Sequence, residues 1–247
     1  MSAVLYGVGV GPGDSKLLTL KALQVIESCD MLVIPVSDKE FSNPVYEEEN
    51  KRSLDIYLEK SVAYQIVLAE VPSIQSYAKL YLPMPMIKDK ERLKKVHDLS
   101  ANVIAEHLEK GKKLAFLTLG DPSIYSTYLY MHERILKKGY QTEIIPGIPS
   151  FCAAAAKANI SLAKNKEEIH IIPASYQAEE MLSLSGTKIL MKSGKKITEI
   201  KKILKEKQLP FTMVENCGMK NENIYTLADE IPDESSYYSL IMIKEEK

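Results

Sequence analysis

The sequence predicts an α/β protein of two lobes, and the order of elements near its start is the first reason. A β-branched apolar run over residues 4–10 leads into a glycine-crowded turn, a helical pattern over residues 15–28 and a second apolar run over residues 31–36. Strand, turn, helix and strand in this order form a βαβ unit. We therefore expect a sheet that is at least partly parallel.

Two later features support the same fold class. The apolar run Leu114–Leu117 predicts a buried strand, and a helix starting at Pro122-Ser123 and running to about residue 138 is expected after it. The punctuation Pro146-Gly147-Ile148-Pro149 predicts a boundary between lobes of residues 1–145 and 146–247.

Shorter patterns predict the remaining elements. Apolar or β-branched runs indicate strands at residues 62–68, 142–145, 169–173, 188–192, 211–215 and 237–243. Helical spacing indicates helices over residues 89–110, 153–158 and 195–207. Polar, acidic residues 37–60 predict an inserted or mobile loop with part of a helix, and residues 82–86 predict a proline-punctuated loop.

Composition excludes several classes of protein. The net charge of the 247 residues is −1, and arginine occurs only three times, so no nucleic-acid partner is indicated. The three cysteines form no CxxC pair, which argues against a disulfide framework or a zinc site and fits a reducing cytoplasm. We expect no signal peptide and no membrane span, because the N-terminus lacks a basic region and no apolar run approaches ~20 residues.

The first turn carries glycine at positions 7, 9, 11 and 13. A dinucleotide fingerprint GxGxxG fails here, because Pro12 or Asp14 stands where the last glycine is needed, and no GK[ST] follows. Such a turn at a strand's carboxyl end can hold a nucleoside or amino-acid group by its main chain. A purely structural turn is the alternative.

A second stretch, Thr118–Tyr128, follows the strand at Leu114–Leu117. Gly120 permits a sharp turn and a close ligand approach, and Asp121 places a carboxylate at the strand's end, where open α/β sheets bind ligands. The alternative is a strand–turn–helix joint in which Asp121 only caps the helix.

The usual catalytic groups are missing from the sequence. The four histidines form no HExxH and no short ligand pair, and His97 and His107 are expected on the surface of a charged helix. No GxSxG is present. With no nucleophile and no metal site indicated, the chemistry is expected to come from a reactive cofactor.

Three collinear motifs resemble the tetrapyrrole (corrin/porphyrin) methyltransferases. They are Val8–Asp14 together with Leu17–Ala22, then Gly120-Asp121-Pro122, and then Pro146-Gly147-Ile148. The resemblance spans essentially the whole chain and implies S-adenosylmethionine bound in a cleft between two α/β lobes, with S-adenosylhomocysteine as product. It also implies a homodimer.

Local sequence also indicates a branch of this family. The stretch Thr118–Thr127, the Pro83-Met84 loop, Ser150–Ala155 and the ending Tyr238–Ile241 resemble the precorrin-2/cobalt-factor-II C(20)-methyltransferases of cobalamin synthesis. That branch implies methyl transfer to carbon 20 of a reduced tetrapyrrole. The sequence leaves open whether the substrate is metal-free precorrin-2 or cobalt-factor II.

The resemblance implies a set of cofactor-binding positions drawn from both lobes. They are Pro12, Leu119, Gly120, Asp121, Ile124, Pro149, Ser150, Ser193 and Cys217. Pro149 departs from the usual Ser or Thr of the family, which removes a hydroxyl and an amide donor at that position.

The proton that leaves carbon 20 needs an acceptor, and the sequence does not identify one. Asp121 and Tyr125 are the candidates, because both lie in the stretch after the strand. Lysines and Arg92 can pair with the carboxylates of the substrate.

Other functions stay open at this point. Within the fold they are a methyltransferase for another corrin position, a diphthine synthase or a ribosomal RNA ribose methylase, the last disfavoured by the sparse arginine. Outside it they are a nucleotide-binding oxidoreductase, whose fingerprint is broken, and a binding module without catalysis.

Overall fold

The computed structural model describes residues 3–173, 181 and 183–244. The chain divides into two compact units, Met1–Pro149 and Ser150–Lys247. Residues 146–149, which are predicted in the second lobe, therefore belong to the first unit. Among the described residues, no helix combines the length and the apolar character that crossing a membrane requires.

The first unit is built on a six-stranded sheet in the order β3-β4-β2-β5-β1-β6. All neighbouring strands are parallel except β3, which runs antiparallel to β4. The carboxyl ends of β2, β5, β1 and β6 therefore lie side by side at one edge. The strands are β1 (Val4–Gly9), β2 (Met31–Val36), β3 (Val45–Glu47), β4 (Ala78–Pro83), β5 (Lys113–Thr118) and β6 (Gln141–Ile145).

Helices cover both faces of this sheet, as the βαβ pattern predicts. Alternate residues of β5 point to opposite faces: Ala115 and Leu117 pack with α1 and α3, and Leu114 and Phe116 pack with α4 and α5. The helices of this unit are α1 (Leu20–Ser28), α2 (Asp55–Lys60), α3 (Val62–Glu70), α4 (Lys90–Glu109) and α5 (Tyr128–Lys137).

The second unit holds a five-stranded sheet in the order β10-β9-β11-β8-β7. Only β7 and β8 are parallel, and the other pairs are antiparallel. Its core includes Leu190, Met213 and Ile241. The elements are α6 (Ser150–Lys157), β7 (Ile169–Pro173), β8 (Thr187–Met191), α7 (Ile197–Glu206), β9 (Phe211–Glu215), β10 (Asn223–Tyr225) and β11 (Ser239–Ile243).

The predicted strand at residues 62–68 is wrong, because this segment is helix α3. Its buried residues Ala63, Tyr64, Ile66 and Val67 recur at helical spacing, and the Ser61 hydroxyl caps the helix by accepting from the Tyr64 amide at 3.3 Å. The next strand of the sheet is β4, which follows α3 in the chain, and all six of its residues are buried.

Two predicted helix starts are also wrong. Residues 15–17 form a short 3-10 turn, and α1 begins at Leu20, where the Thr19 hydroxyl accepts from the Ala22 amide at 3.1 Å. Helix α5 begins at Tyr128 rather than at Pro122-Ser123. Between Ser123 and Tyr128 the chain turns, and Tyr125 adopts the left-handed backbone conformation with φ at 47°.

His97 is buried, which corrects the prediction of a surface histidine. Its ring stacks on Tyr130 with centroids 4.7 Å apart. Burial lowers the pKa of His97, and the charge of Arg134 lowers it further. His107 is half-buried, and its ring packs against Tyr46.

The inserted segment 37–60 contains β3 and α2, and the buried carboxylate of Glu47 holds it to the sheet. Oε1 of Glu47 accepts from the amides of Ser53 and Leu54 at 2.8 and 3.1 Å and from the Ser53 hydroxyl, and Oε2 accepts from the Tyr81 hydroxyl at 3.0 Å. Burial alone raises the pKa of Glu47, but these hydrogen bonds outweigh it, and the pKa is lowered.

We predict that Glu47→Ala lowers the free energy of unfolding by about 1–3 kcal/mol at pH 7, because buried donors lose their acceptor. Since the folded pKa is lowered, this stabilisation is present above the unfolded pKa of about 4.3 and is lost as the pH falls through the folded value. Urea unfolding of wild type and variant at several pH values measures it. The exposed Glu49→Ala is the control, and a difference that persists unchanged in acid would contradict the assignment.

Candidate functional site

Three loops meet at the carboxyl edge of the first sheet, after the adjacent strands β5, β1 and β6. The Val10 amide donates to the Thr118 carbonyl at 2.9 Å. Gly11 and Gly120 exchange two hydrogen bonds, of 3.3 Å from the Gly11 amide and 2.8 Å from the Gly120 amide. The glycine turn and the Gly120 loop are therefore joined main chain to main chain.

The third loop touches the other two so closely that no side chain fits between them. A Cβ at Gly9 would lie 2.5 Å from the Gly147 nitrogen, and a Cβ at Gly147 would lie 2.2 Å from the Gly120 carbonyl oxygen. Glycine is therefore required at both positions by packing. The first and third of the sequence motifs, which are far apart in the chain, are in direct contact here.

Asp121 ties the second loop to the third. Its Oδ2 accepts from the Gly147 amide at 3.0 Å, and its Oδ1 accepts from the Ser123 amide at 2.8 Å and the Ser123 hydroxyl at 2.5 Å. The side chain is buried. Because α5 begins seven residues later, Asp121 does not cap that helix, and its role is to hold the loops together.

Not all of the glycines in the first turn are explained by ligand binding. A Cβ at Gly7 would lie 2.3 Å from the ring of Tyr128. That ring is fully buried, and its hydroxyl donates toward the carbonyls of Leu5 and Glu143 at 3.4 and 3.2 Å. Burial raises the pKa of Tyr128 well above its usual value. Gly7 and Gly9 thus serve packing, and Gly11, at φ +78°, serves the turn itself.

The predicted cofactor positions of the first unit lie in these three loops. Pro12 follows the Gly11 turn, Leu119 to Ile124 form the second loop, and Pro149 ends the third. Pro12 is buried, and Leu119, Ile124 and Pro149 are half-buried. Tyr125 is about half exposed at 49%.

In the second unit, two of the predicted positions lie at one edge of the sheet. Antiparallel pairing places Leu240 opposite Met191 and Ser239 opposite Glu215, so β8 and β9 end at the same edge. Ser193 and Cys217 follow these ends. Ser150 is the first residue of α6.

Ser193 and Cys217 are both buried residues. Ser193 is fully buried, and its hydroxyl donates to the Leu190 carbonyl at 3.1 Å. The Ser193 hydroxyl is therefore engaged within the second unit.

Thr118 has no role of its own among the predicted site residues. The Thr118 hydroxyl is buried at the end of β5, and among the described residues it has no hydrogen-bond partner. A buried hydroxyl without a partner is rare and leaves a donor and an acceptor for a bound molecule. Its place just before the Gly120 loop could have suggested it.

The charge of the three loops limits what they can bind. Residues 7–14, 118–128 and 146–149 include two aspartates and neither lysine nor arginine. A phosphate-bearing dinucleotide would find no cationic side chain in these loops. A cationic sulfonium meets no like charge in these loops, so their side chains are compatible with S-adenosylmethionine.

Comparison with known proteins agrees with this geometry. Residues 4–232 match the family described as Tetrapyrrole (Corrin/Porphyrin) Methylases. The chain is 35% identical to a probable cobalt-precorrin-2 C(20)-methyltransferase of Methanocaldococcus jannaschii, over 97% of this chain and 95% of that protein. It is 27% identical to a precorrin-2 C(20)-methyltransferase of a Sinorhizobium species, over 97% and 94%.

A solved structure shows the same fold. The uroporphyrin-III C-methyltransferase of Thermus thermophilus, solved in complex with S-adenosylhomocysteine, superposes with a TM-score of 0.66 at 18% identity, over 99% of this chain and 98% of that one. The family match covers most of the chain, and the relative at 35% identity covers nearly all of it. The chain belongs to the tetrapyrrole (corrin/porphyrin) methylases.

Proposed function

We propose that this protein transfers the methyl group of S-adenosylmethionine to carbon 20 of a cobalt-containing tetrapyrrole, cobalt-factor II, in cobalamin synthesis. The observation that carries the proposal is the 35% identity, over nearly the full length of both chains, to a probable cobalt-precorrin-2 C(20)-methyltransferase. Relatives named for carbon 11 and carbon 5 are less similar, at 27% identity each.

The three loops of the first unit hold the methyl donor in this proposal. The donor supplies a methyl group on a positively charged sulfur, which is a good leaving group. The main chain at Pro12 and Leu119–Ile124 contacts it, together with Pro149 and the Thr118 hydroxyl. Ser150, Ser193 and Cys217 of the second unit stay predictions that rest on the resemblance.

The protein's contribution to the rate is positioning. Alignment of donor and acceptor can lower a barrier by about 7–11 kcal/mol, provided that the groups around them are rigid. The contacts among Gly9, Gly120 and Gly147 and the hydrogen bonds of Asp121 supply that rigidity. We therefore assign Asp121 a positioning role, and Tyr125 stays a candidate for the proton acceptor, which the sequence does not identify.

A homodimer and a cytoplasmic location are part of the proposal. Among the described residues, Cys29 and Cys152 are free thiols, which fits a reducing compartment. Light scattering of the purified protein measures its mass in solution.

The main alternative is methylation of metal-free precorrin-2. It is favoured by the 27% identity to the Sinorhizobium precorrin-2 C(20)-methyltransferase. The two substrates share the carbon that is methylated, so the three loops do not distinguish them.

Paired assays with S-adenosylmethionine, one with cobalt-factor II and one with precorrin-2, decide between these substrates. We expect methylation of cobalt-factor II, with the new methyl group at carbon 20 when the product is mapped by NMR. Turnover of precorrin-2 alone would support the alternative. A methyl group at another ring position would contradict both.

We predict that Asp121→Asn weakens the binding of S-adenosylhomocysteine about tenfold, measured by calorimetry. The replacement keeps the shape of the side chain, but its NH₂ group cannot accept from the Gly147 or Ser123 amides, so one buried hydrogen bond is lost.

Asp89→Asn is the matched control for this experiment. Asp89 also accepts a main-chain hydrogen bond, from the Arg92 amide at 3.0 Å, and asparagine caps a helix about as well as aspartate. Unchanged affinity in Asp121→Asn would contradict the role given to Asp121.

A further inference from the structure

A cavity of about 230 Å³ lies at the carboxyl end of β2, where Ser37 and Asp38 face the junction of α2 and α3. By the same measure, a single water needs only about 10–15 Å³. Because β2 pairs in parallel with β5, this cavity belongs to the sheet edge that also carries the Gly120 loop. Neighbouring strands are about 4.8 Å apart, so the two sites are adjacent.

The cavity has donors that the protein itself does not use. Lys60 ends α2, and within residues 3–173, 181 and 183–244 it forms no ion pair. The hydroxyls of Ser37 and Tyr57 likewise have no hydrogen-bond partner within those residues.

Two residues that line the cavity, Tyr57 and Ser61, are fixed in position by their neighbours. The ring of Tyr57 packs edge-on against Phe41, with centroids 5.0 Å apart. The Ser61 hydroxyl accepts from the Tyr64 amide, so its proton remains available to donate into the cavity. One cation and several hydroxyl donors are thus gathered around an open space.

This set of groups matches a carboxylate on a flexible arm. An ammonium and hydroxyl donors satisfy the oxygens of a carboxylate through charge-assisted hydrogen bonds. Asp38 opposes such a ligand, because its own carboxylate lines the same cavity and is held there by the Glu40 amide at 3.0 Å. The cavity therefore combines one attractive charge and one repulsive charge.

We infer that this cavity binds a carboxylate side arm of the tetrapyrrole, with Lys60 as its ionic partner and Asp38 as a group that weakens the interaction. The inference rests on the proposed function, because a reduced tetrapyrrole carries several such carboxylates. It gives Lys60 and Asp38 opposite effects on substrate binding, and both residues lie outside the three loops proposed to hold the donor.

Removing each of the two charges is expected to change the KM for the tetrapyrrole in opposite directions. Lys60→Gln raises the KM for the tetrapyrrole about fivefold to tenfold, because a charge-assisted hydrogen bond is lost. Asp38→Asn lowers the same KM about twofold, because a like charge near the carboxylate is removed. The dissociation constant of S-adenosylhomocysteine stays unchanged in both variants.

Lys137→Gln is the matched control. Lys137 is exposed and is the last residue of α5, as Lys60 is the last residue of α2. It differs in place, because α5 leads to the start of β6, at the edge of the sheet opposite the cavity. We expect the KM of this variant to equal that of wild type. Equal KM values for Lys60→Gln and wild type would overturn the inference, and so would a KM that rises in both Lys60→Gln and Asp38→Asn.

Binding of uroporphyrin III, a fluorescent tetrapyrrole with carboxylate arms, separates this inference from the proposed function. We expect Lys60→Gln to raise the dissociation constant of uroporphyrin III about fivefold to tenfold, like the KM for the substrate. If wild type methylates neither substrate but binds uroporphyrin through Lys60, the proposed function fails and the cavity assignment stands. If wild type is active and Lys60→Gln binds uroporphyrin as wild type does, the cavity assignment fails.

Discussion

The direct contact of three main-chain segments, at Gly9, Gly120 and Gly147, is the constraint on which the rest of the first unit depends. A Cβ at Gly9 or Gly147 would collide with backbone atoms, so these loops approach each other only where side chains are absent. Their approach requires that β5, β1 and β6 be adjacent and parallel. The order of the sheet and the identity of the glycines are therefore parts of one arrangement.

That arrangement also explains what the loops can bind. Close packing of main chains leaves amide and carbonyl groups, one buried threonine hydroxyl and a carboxylate already engaged in hydrogen bonds. It leaves no cationic side chain. In the proposed function, a rigid site of this kind orients a donor that brings its own reactivity. The cation for a carboxylate-rich acceptor is proposed to come from Lys60, which ends α2 and lines the cavity at the carboxyl end of β2.

The sequence predicted the parallel strands well, because strands buried on both faces are continuous apolar runs, as at residues 31–36 and 114–117. It failed for β4, where Lys79 interrupts the run; that lysine is buried, and its ammonium donates to the carbonyls of Gln75 and Tyr77 at 2.9 and 2.8 Å. The three glycine-containing loops were predicted from their motifs. Their contacts were not, because Asp121 and Gly147 are 26 residues apart and only the folded sheet brings them together.

A crystal structure of the complex with S-adenosylhomocysteine tests the central claim most directly. We expect the ligand against the main chain of residues 10–12 and 118–124, with the hydrogen bonds between Asp121 and Gly147 intact. Ligand density elsewhere on the protein, with these three loops unoccupied, would contradict the claim that the packed glycines form the cofactor site.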